Sequence, residues 1–335
     1  MNEFWTGKRV LVTGSTGLVG SWLIPALLER GAFVVTLIRD WDPQSELIRA
    51  GTVYRTNVVQ GRLEAFDTVA RAVNDHEVDT VFHLGAQTIV GAANRDPLPT
   101  FESNIRGTYN LLEVCRRQAK LVQRVLVASS DKAYGESEVL PYTEGCPALG
   151  RHPYDVSKSC ADLLAQAYYQ TYELPVVIAR CGNIYGGGDL NWSRIVPGTV
   201  ASLYRDQRPI IRSDGRFQRD YVYVQDAVLA YLLMAEQADA PNVRGEAFNF
   251  GLGQPLTVLQ VVDQISGLMG KAHLKPIILN EAKAEIRDQY LDSGKARSVM
   301  GWTARYELET GLTHTIEWYK RYLDDMARSS SRHHS

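Results

Sequence analysis

The sequence predicts an α/β protein in which a doubly wound parallel sheet is followed by a smaller mixed α/β C-terminal substrate domain. Three observations carry this. Short apolar runs at 8–13, 33–38, 53–60, 80–84, 125–128 and 175–179 alternate with helical patterns, and strands alternating with helices at this spacing give a parallel sheet with right-handed crossovers. The first run opens into a glycine-rich turn, with Gly14, Gly17 and Gly20 at GxxGxxG spacing, before a helical pattern through Arg30. Beyond about residue 180 the alternation loosens, and Gly186, Gly187 and Gly188 stand together ahead of the next helical stretch.

Taken in order, each element sharpens the prediction. A glycine-rich turn between strand and helix brings backbone close to a pyrophosphate, and the helix N-terminus adds unpaired N–H groups and a positive dipole end. Gly14, Thr16, Gly17, Leu18, Val19 and Gly20 are therefore expected to hold a dinucleotide on a Rossmann-type sheet. The second strand ends in Arg39 and Asp40; an acid there suits the ribose 2′-hydroxyl of NAD and an Arg the 2′-phosphate of NADP, so the pair leaves both open. A third strand at 53–60 leads through Arg62 and Leu63 into a helix at 64–74. The fourth ends in Leu84, Gly85, Ala86 and Gln87, where small residues let backbone approach a cofactor again. His83 has no cluster of His, Cys or acid neighbours and reads as a satisfied core histidine. A long helix at 97–120 carries Asn104 and Thr108, and Ala128 closes the fifth strand.

The second half continues with helices at 193–205 and 226–236, a strand at 246–251 that returns to the main sheet, and a helix opening at Thr257. The last helix, 308–323, places Leu312, Ile316, Tyr319 and Leu323 at helical spacing, a core stripe. Residues 326–335 are polar and aperiodic and read as a disordered tail.

Composition excludes several classes of function. With 335 residues, 36 Lys and Arg against 38 Asp and Glu, and no block of like charge, the chain has neither the footprint of a nucleic-acid binder nor that of an anionic-membrane binder. No apolar run approaches the roughly 18 residues of a membrane span. Cys115, Cys146, Cys160 and Cys181 lack C-x-x-C spacing and form no disulfide framework. A cytoplasmic protein without a metal site is expected.

Candidate chemistry centres on Tyr154 and Lys158. Four residues apart on a helix, they share one face and reach one small volume. A neighbouring ammonium favours a phenolate and lowers its pKa from about 10. Upstream, Ser130, Asp131 and Lys132 follow the fifth strand, where open α/β sheets bind ligands.

These motifs together resemble the extended short-chain dehydrogenase/reductase family, in particular its nucleotide-sugar epimerases and dehydratases. The resemblance rests on the glycine turn, the Ser130 hydroxyl and Tyr154-x-x-x-Lys158. It extends to His83 through Gln87, Asn104 through Thr108, Arg180 through Gly186, Arg219 through Val224 and the closing Gly301-Trp302. Asp131-Lys132 resembles the acid-base pair of CDP-glucose 4,6-dehydratases, whereas 4-epimerases usually have small or neutral residues there. Arg62 departs from that type, which commonly has Asp at this position, and 215–224 looks more like epimerases and dTDP- or GDP-sugar enzymes.

The resemblance implies a nucleotide-sugar 4,6-dehydratase with recycled NAD, NADP being the other cofactor left open. A 4-epimerase is the alternative, and a non-catalytic dinucleotide-binding protein a minor one. It implies Tyr154 as base, Lys158 as holder of the nicotinamide ribose and modulator of Tyr154, and Ser130 as hydrogen-bond partner of the same hydroxyl. Asp131 is assigned as acid and Lys132 as candidate base. Cofactor contacts are expected from the glycine turn, Arg39, Asp40, Arg62, Leu63, Leu84, Gly85, Ala86, Gln87, Asn104, Ala128, Tyr154 and Lys158. Substrate contacts are expected from Gln87, Ser130, Asn183, Arg194, Ile195, Val196, Arg216, Arg219 and Arg287; Arg offers a rigid fork to phosphate oxygens. Residues 1–180, with contributions from about 218–250, are expected to bind NAD, and 181–325 the substrate. Family members usually form homodimers through a four-helix bundle, here 100–117 and 154–172.

Overall fold

The computed structural model describes residues 3–281 and 285–332. Its centre is a parallel sheet of β1 (Arg9–Thr13), β2 (Phe33–Ile38), β3 (Asn57–Gln60), β4 (Thr80–His83), β5 (Arg124–Ala128), β6 (Val176–Cys181) and β7 (Ala247–Phe250). The order is β7-β6-β5-β4-β1-β2-β3. Direction of winding reverses between β1 and β4, which creates a crevice beyond their carboxyl ends. The last strand returns to the sheet as expected, Ala247 pairing with Ile178.

Alternation along each strand feeds two cores. Val10 and Val12 pack with Leu23, Ile24 and Leu27 of α1 (Leu18–Glu29) on one face. Leu11 packs with Val69, Leu111 and Ala165 on the other. Burial on both faces explains why the strands are nearly continuous apolar runs. The helices on the second face are α2 (Phe66–Asn74), α3 (98–117) and α4 (Pro153–Tyr172).

Three boundaries differ from expectation. Gly51, at φ 72°, starts a short 3-10 turn at Thr52–Arg55, so Val53 reaches the core from that turn and the third strand begins only at Asn57. Within α3, Glu102–Arg106 is a π-helical segment, a local widening that often marks functional sites. The final helix is Leu308–Arg332, well past 326, where a tail was expected to begin. Hydrogen bonds from Tyr204 to Asp324 and from Arg49 to Asp325 hold it beyond its apolar stripe. Only 333–335 of that tail lie outside the described residues.

The remaining chain builds a smaller layer over the crevice. α5 (Ile195–Tyr204), α6 (Val224–Gln237), α7 (Val258–Leu268) and α8 (Leu308–Arg332) are its main helices, with α6 packing back on the sheet. Val200, Tyr221, Ile265, Leu312 and Ile316 form its core. Asp220 ties this layer to the sheet by accepting from the N–H groups of Leu252 (2.8 Å) and Gly253 (3.1 Å), just after β7.

Arg180 at the end of β6 donates twice to Asp162 of α4, both bonds 2.8 Å, and once to the Tyr134 hydroxyl at 2.9 Å. Both charged side chains are buried, so removing one strands the other without its partner. Asp162→Ala is expected to lower unfolding free energy by about 3–5 kcal/mol, measured as a reduced denaturant midpoint.

Candidate active site

The turn after β1 and the loop after β4 touch backbone to backbone. Gly14 has φ +67°, and a methyl group there would lie 2.7 Å from the Gly85 nitrogen and the Leu84 carbonyl carbon. One at Gly20 would lie 2.4 Å from the Gly14 carbonyl oxygen, so α1 starts tight against the turn. These absent side chains leave a cradle of backbone at the N-terminus of a twelve-residue helix, the donor set that suits a pyrophosphate. A dinucleotide fits the residues present.

The cradle is one end of a cleft of about 970 Å³. Its walls bring together Thr16, Gly17, Leu18, Val19, Arg39, Asp40, Leu63, Leu84, Gly85, Ala86 and Ala128 at the expected cofactor end. Ser130, Lys132, Tyr154, Lys158, Asn183, Arg194, Ile195, Val196 and Arg219 line it further along. Arg39 and Asp40 pair with each other at 2.5 Å on the surface.

Arg62, Arg216 and Arg287 are exposed. Arg287 contributes through its backbone carbonyl, which accepts from Arg219 at 2.6 Å. Asn104, in the π-helical segment, works from behind. Its side chain accepts from the Gln87 N–H (2.7 Å) and donates to the Gln87 carbonyl (3.0 Å) and to Ser157 (2.9 Å). It thus clamps the loop after β4 to α4 at Gln87. Asp131 is 1% exposed.

At the centre, Ser130 bridges the candidate catalytic groups. Its hydroxyl donates to Asp131 Oδ1 at 2.9 Å and lies close enough to the Tyr154 phenol to favour its charged form. Asp131 Oδ2 is buried with no partner among the described residues. Burial pushes the Tyr154 phenol above its ordinary value, with Arg194 and Ser130 pulling the other way and Asp131 and Asp155 adding to the rise. Arg194 is the foremost cation acting on this phenol. Lys158 donates to the Ala128 carbonyl at 2.7 Å, and burial lowers its own pKa to about 8.

Lys132 is shifted towards the neutral amine. Burial lowers its pKa, Arg219 lowers it further, and the carboxylates of Asp131, Asp155 and Glu285 oppose them. His83 sits beneath the cleft between the hydroxyls of Thr13 and Thr108, 2.9 Å from each. Burial holds its pKa down at about 3, so it is a neutral core group.

Several wall residues were not among the expected site residues. Asp189 and Thr88 hold Arg194 at 2.9 and 3.2 Å, and Cys181 and Tyr231 line the cleft beside Lys158 and Tyr154. Only Asp189, five residues before Arg194, was findable by proximity. Among the described residues no cluster of His, Cys, Asp and Glu is arranged to hold a metal ion.

Comparison with known proteins agrees with this geometry. The model of the NAD dependent epimerase/dehydratase family matches residues 10–251. The CDP-glucose 4,6-dehydratase of Salmonella typhimurium is 30% identical, over 98% of this chain and 96% of that protein. A dTDP-glucose 4,6-dehydratase from Streptomyces venezuelae, solved with NAD, superposes with a TM-score of 0.85 at 27% identity, covering 93% of this chain and 97% of that one. A UDP-glucose 4-epimerase from Thermotoga maritima, solved with UDP-glucose, also gives 0.85, at 28% identity and covering 94% and 99%. From the backbone cradle, the winding of the sheet and a match across most of the chain, this protein belongs to the NAD dependent epimerase/dehydratase family, and its cofactor is NAD.

Proposed function

We propose that the protein is a nucleotide-sugar 4,6-dehydratase, converting an NDP-hexose into an NDP-4-keto-6-deoxyhexose. The observation that carries this reading is the Asp131-Lys132 pair directly after Ser130: a buried carboxylate that acts on the Tyr154 phenol, and a lysine on the cleft wall whose pKa is held below its ordinary value. An epimerase needs only the removal and return of one proton at C4. Loss of water needs two further proton carriers, and this pair supplies them.

NAD, when bound, takes up and gives back the sugar's hydride, so the oxidised cofactor is restored each cycle. The cradle from Gly14 to Gly20, the loop at Leu84 to Ala86, and Lys158 hold it in this reading. Tyr154 as phenolate takes the C4 hydroxyl proton, with Ser130 bonded to the same hydroxyl. The resulting 4-keto group acidifies C5–H. Lys132 as free amine takes that proton, while Asp131 gives a proton to the C6 hydroxyl, which leaves as water; the stored hydride returned at C6 and the proton on Lys132 returned to C5 then complete the 4-keto-6-deoxy product. Asn183, Arg194 and Arg219 face the nucleotide-sugar.

Mass spectrometry after incubation with NAD and a panel of CDP-, dTDP-, GDP- and UDP-hexoses tests this. The expected result is loss of one water from one member; an isomer of unchanged mass would transfer the protein to the 4-epimerases. CDP-glucose leads the panel because of the Salmonella relative.

The reading includes a homodimer. Leu98 (64%), Tyr109 (40%), Leu163 (52%) and Tyr172 (54%) are exposed on α3 and α4, the apolar surface that a four-helix bundle between two copies would cover. It also includes a cytoplasmic location, supported by four free cysteines. No described helix is long and apolar enough to cross a membrane.

A further inference from the structure

We infer that Gln289 is a positioning residue for Lys132: its side-chain carbonyl tethers the lysine amine at the cleft wall, and because the tether is neutral it leaves the lysine able to lose its proton. The inference deepens the dehydratase reading and rests on it for the role of Lys132. Lys132 Nζ donates to Gln289 Oε1 at 2.8 Å. Gln289 is completely buried, and its Nε2 has no partner among the described residues. The bond to Lys132 is thus the one described hydrogen bond that accounts for placing an amide there.

The backbone beneath Gln289 is fixed. The short strand Asp288–Gln289 runs parallel to Gln218–Arg219. The Arg219 guanidinium donates to the carbonyls of Ile286 and Arg287, both at 2.6 Å, which locks the approach to Gln289. Arg219 therefore holds the tether in place and also presents to Lys132 a charge that disfavours the ammonium.

The remaining charged groups that face Lys132 are Asp131 from the end of β5, Asp155 from α4 and Glu285. All three are carboxylates, and each favours the charged lysine. An amide acceptor bonds an N–H of either the ammonium or the amine. A fourth carboxylate at this position would raise the lysine pKa by about one to three units. That contrast is what a neutral tether avoids, and it gives the test.

The holoenzyme is prepared as wild type, Gln289→Glu and Gln289→Met, the last keeping side-chain volume without the carbonyl. Competitive labelling with acetic anhydride followed by peptide mapping reads the titration midpoint of Lys132 whatever reaction is catalysed. Gln289→Glu is expected to raise that midpoint by about one unit or more. The rising limb of the kcat profile moves to higher pH with it, since the neutral amine is the active form. Gln289→Met is expected to lower kcat about tenfold or more with KM unchanged.

A Lys132 midpoint equal in wild type and Gln289→Glu overturns the tether. So does wild-type kcat in Gln289→Met. A raised midpoint in Gln289→Glu with no loss of water by any of the three proteins would remove the dehydratase reading and leave the tether standing.

Discussion

Replacing Tyr154 by Phe is expected to lower turnover by about 100-fold to 10,000-fold, with unfolding temperature and bound NAD unchanged. The ring keeps its packing, because only the hydroxyl is removed and that hydroxyl faces Ser130. What is lost is the group that takes the sugar proton. Burial pushes this phenol up and so favours its neutral form; a base is active only after losing its proton, so the wild-type rate should rise with pH. Arg194, the foremost cation acting on the phenol, moves that limb down. Arg194→Gln should therefore shift the limb to higher pH while Tyr154→Phe removes it. Wild-type turnover in Tyr154→Phe would take the base role from Tyr154.

Sequence made some of this arrangement legible and hid the rest for physical reasons. Patterns with a short period were readable: the alternation that buries Val10 and Leu11 on opposite faces, the glycine turn, and the four-residue spacing of Tyr154 and Lys158. Contacts set by tertiary folding were not. Lys132 and Gln289 are 157 positions apart, and nothing in the neighbourhood of either names the other. Arg194 acts on Tyr154 from a separate layer of the structure, 40 positions along the chain, and nothing near Tyr154 in the sequence points to it. The third strand was overextended because Val53 is as buried as a strand residue; the backbone turn at Gly51 that delivers it leaves little trace in an apolar pattern.

Lys132→Met is expected to abolish incorporation of solvent deuterium at C5 and to lower water loss about 100-fold or more. Lys132 has two ways to help this step, as a neutral base or as a fixed cation stabilising an enolate. Its surroundings favour the first. Burial and the nearby Arg219 both disfavour the ammonium, and the Gln289 amide bonds it without adding negative charge. The pKa being lowered, the neutral fraction grows as pH rises through a value below that of an ordinary lysine, so deuterium incorporation should rise in the same window. Lys132→Arg separates the two roles, because a guanidinium keeps the positive charge but does not deprotonate in a protein. Loss of C5 exchange in both variants assigns the proton to Lys132. Exchange that persists in Lys132→Arg and disappears in Lys132→Met would make the residue an electrostatic partner, and the base would then have to be sought among the carboxylates beside it, Asp131, Asp155 and Glu285.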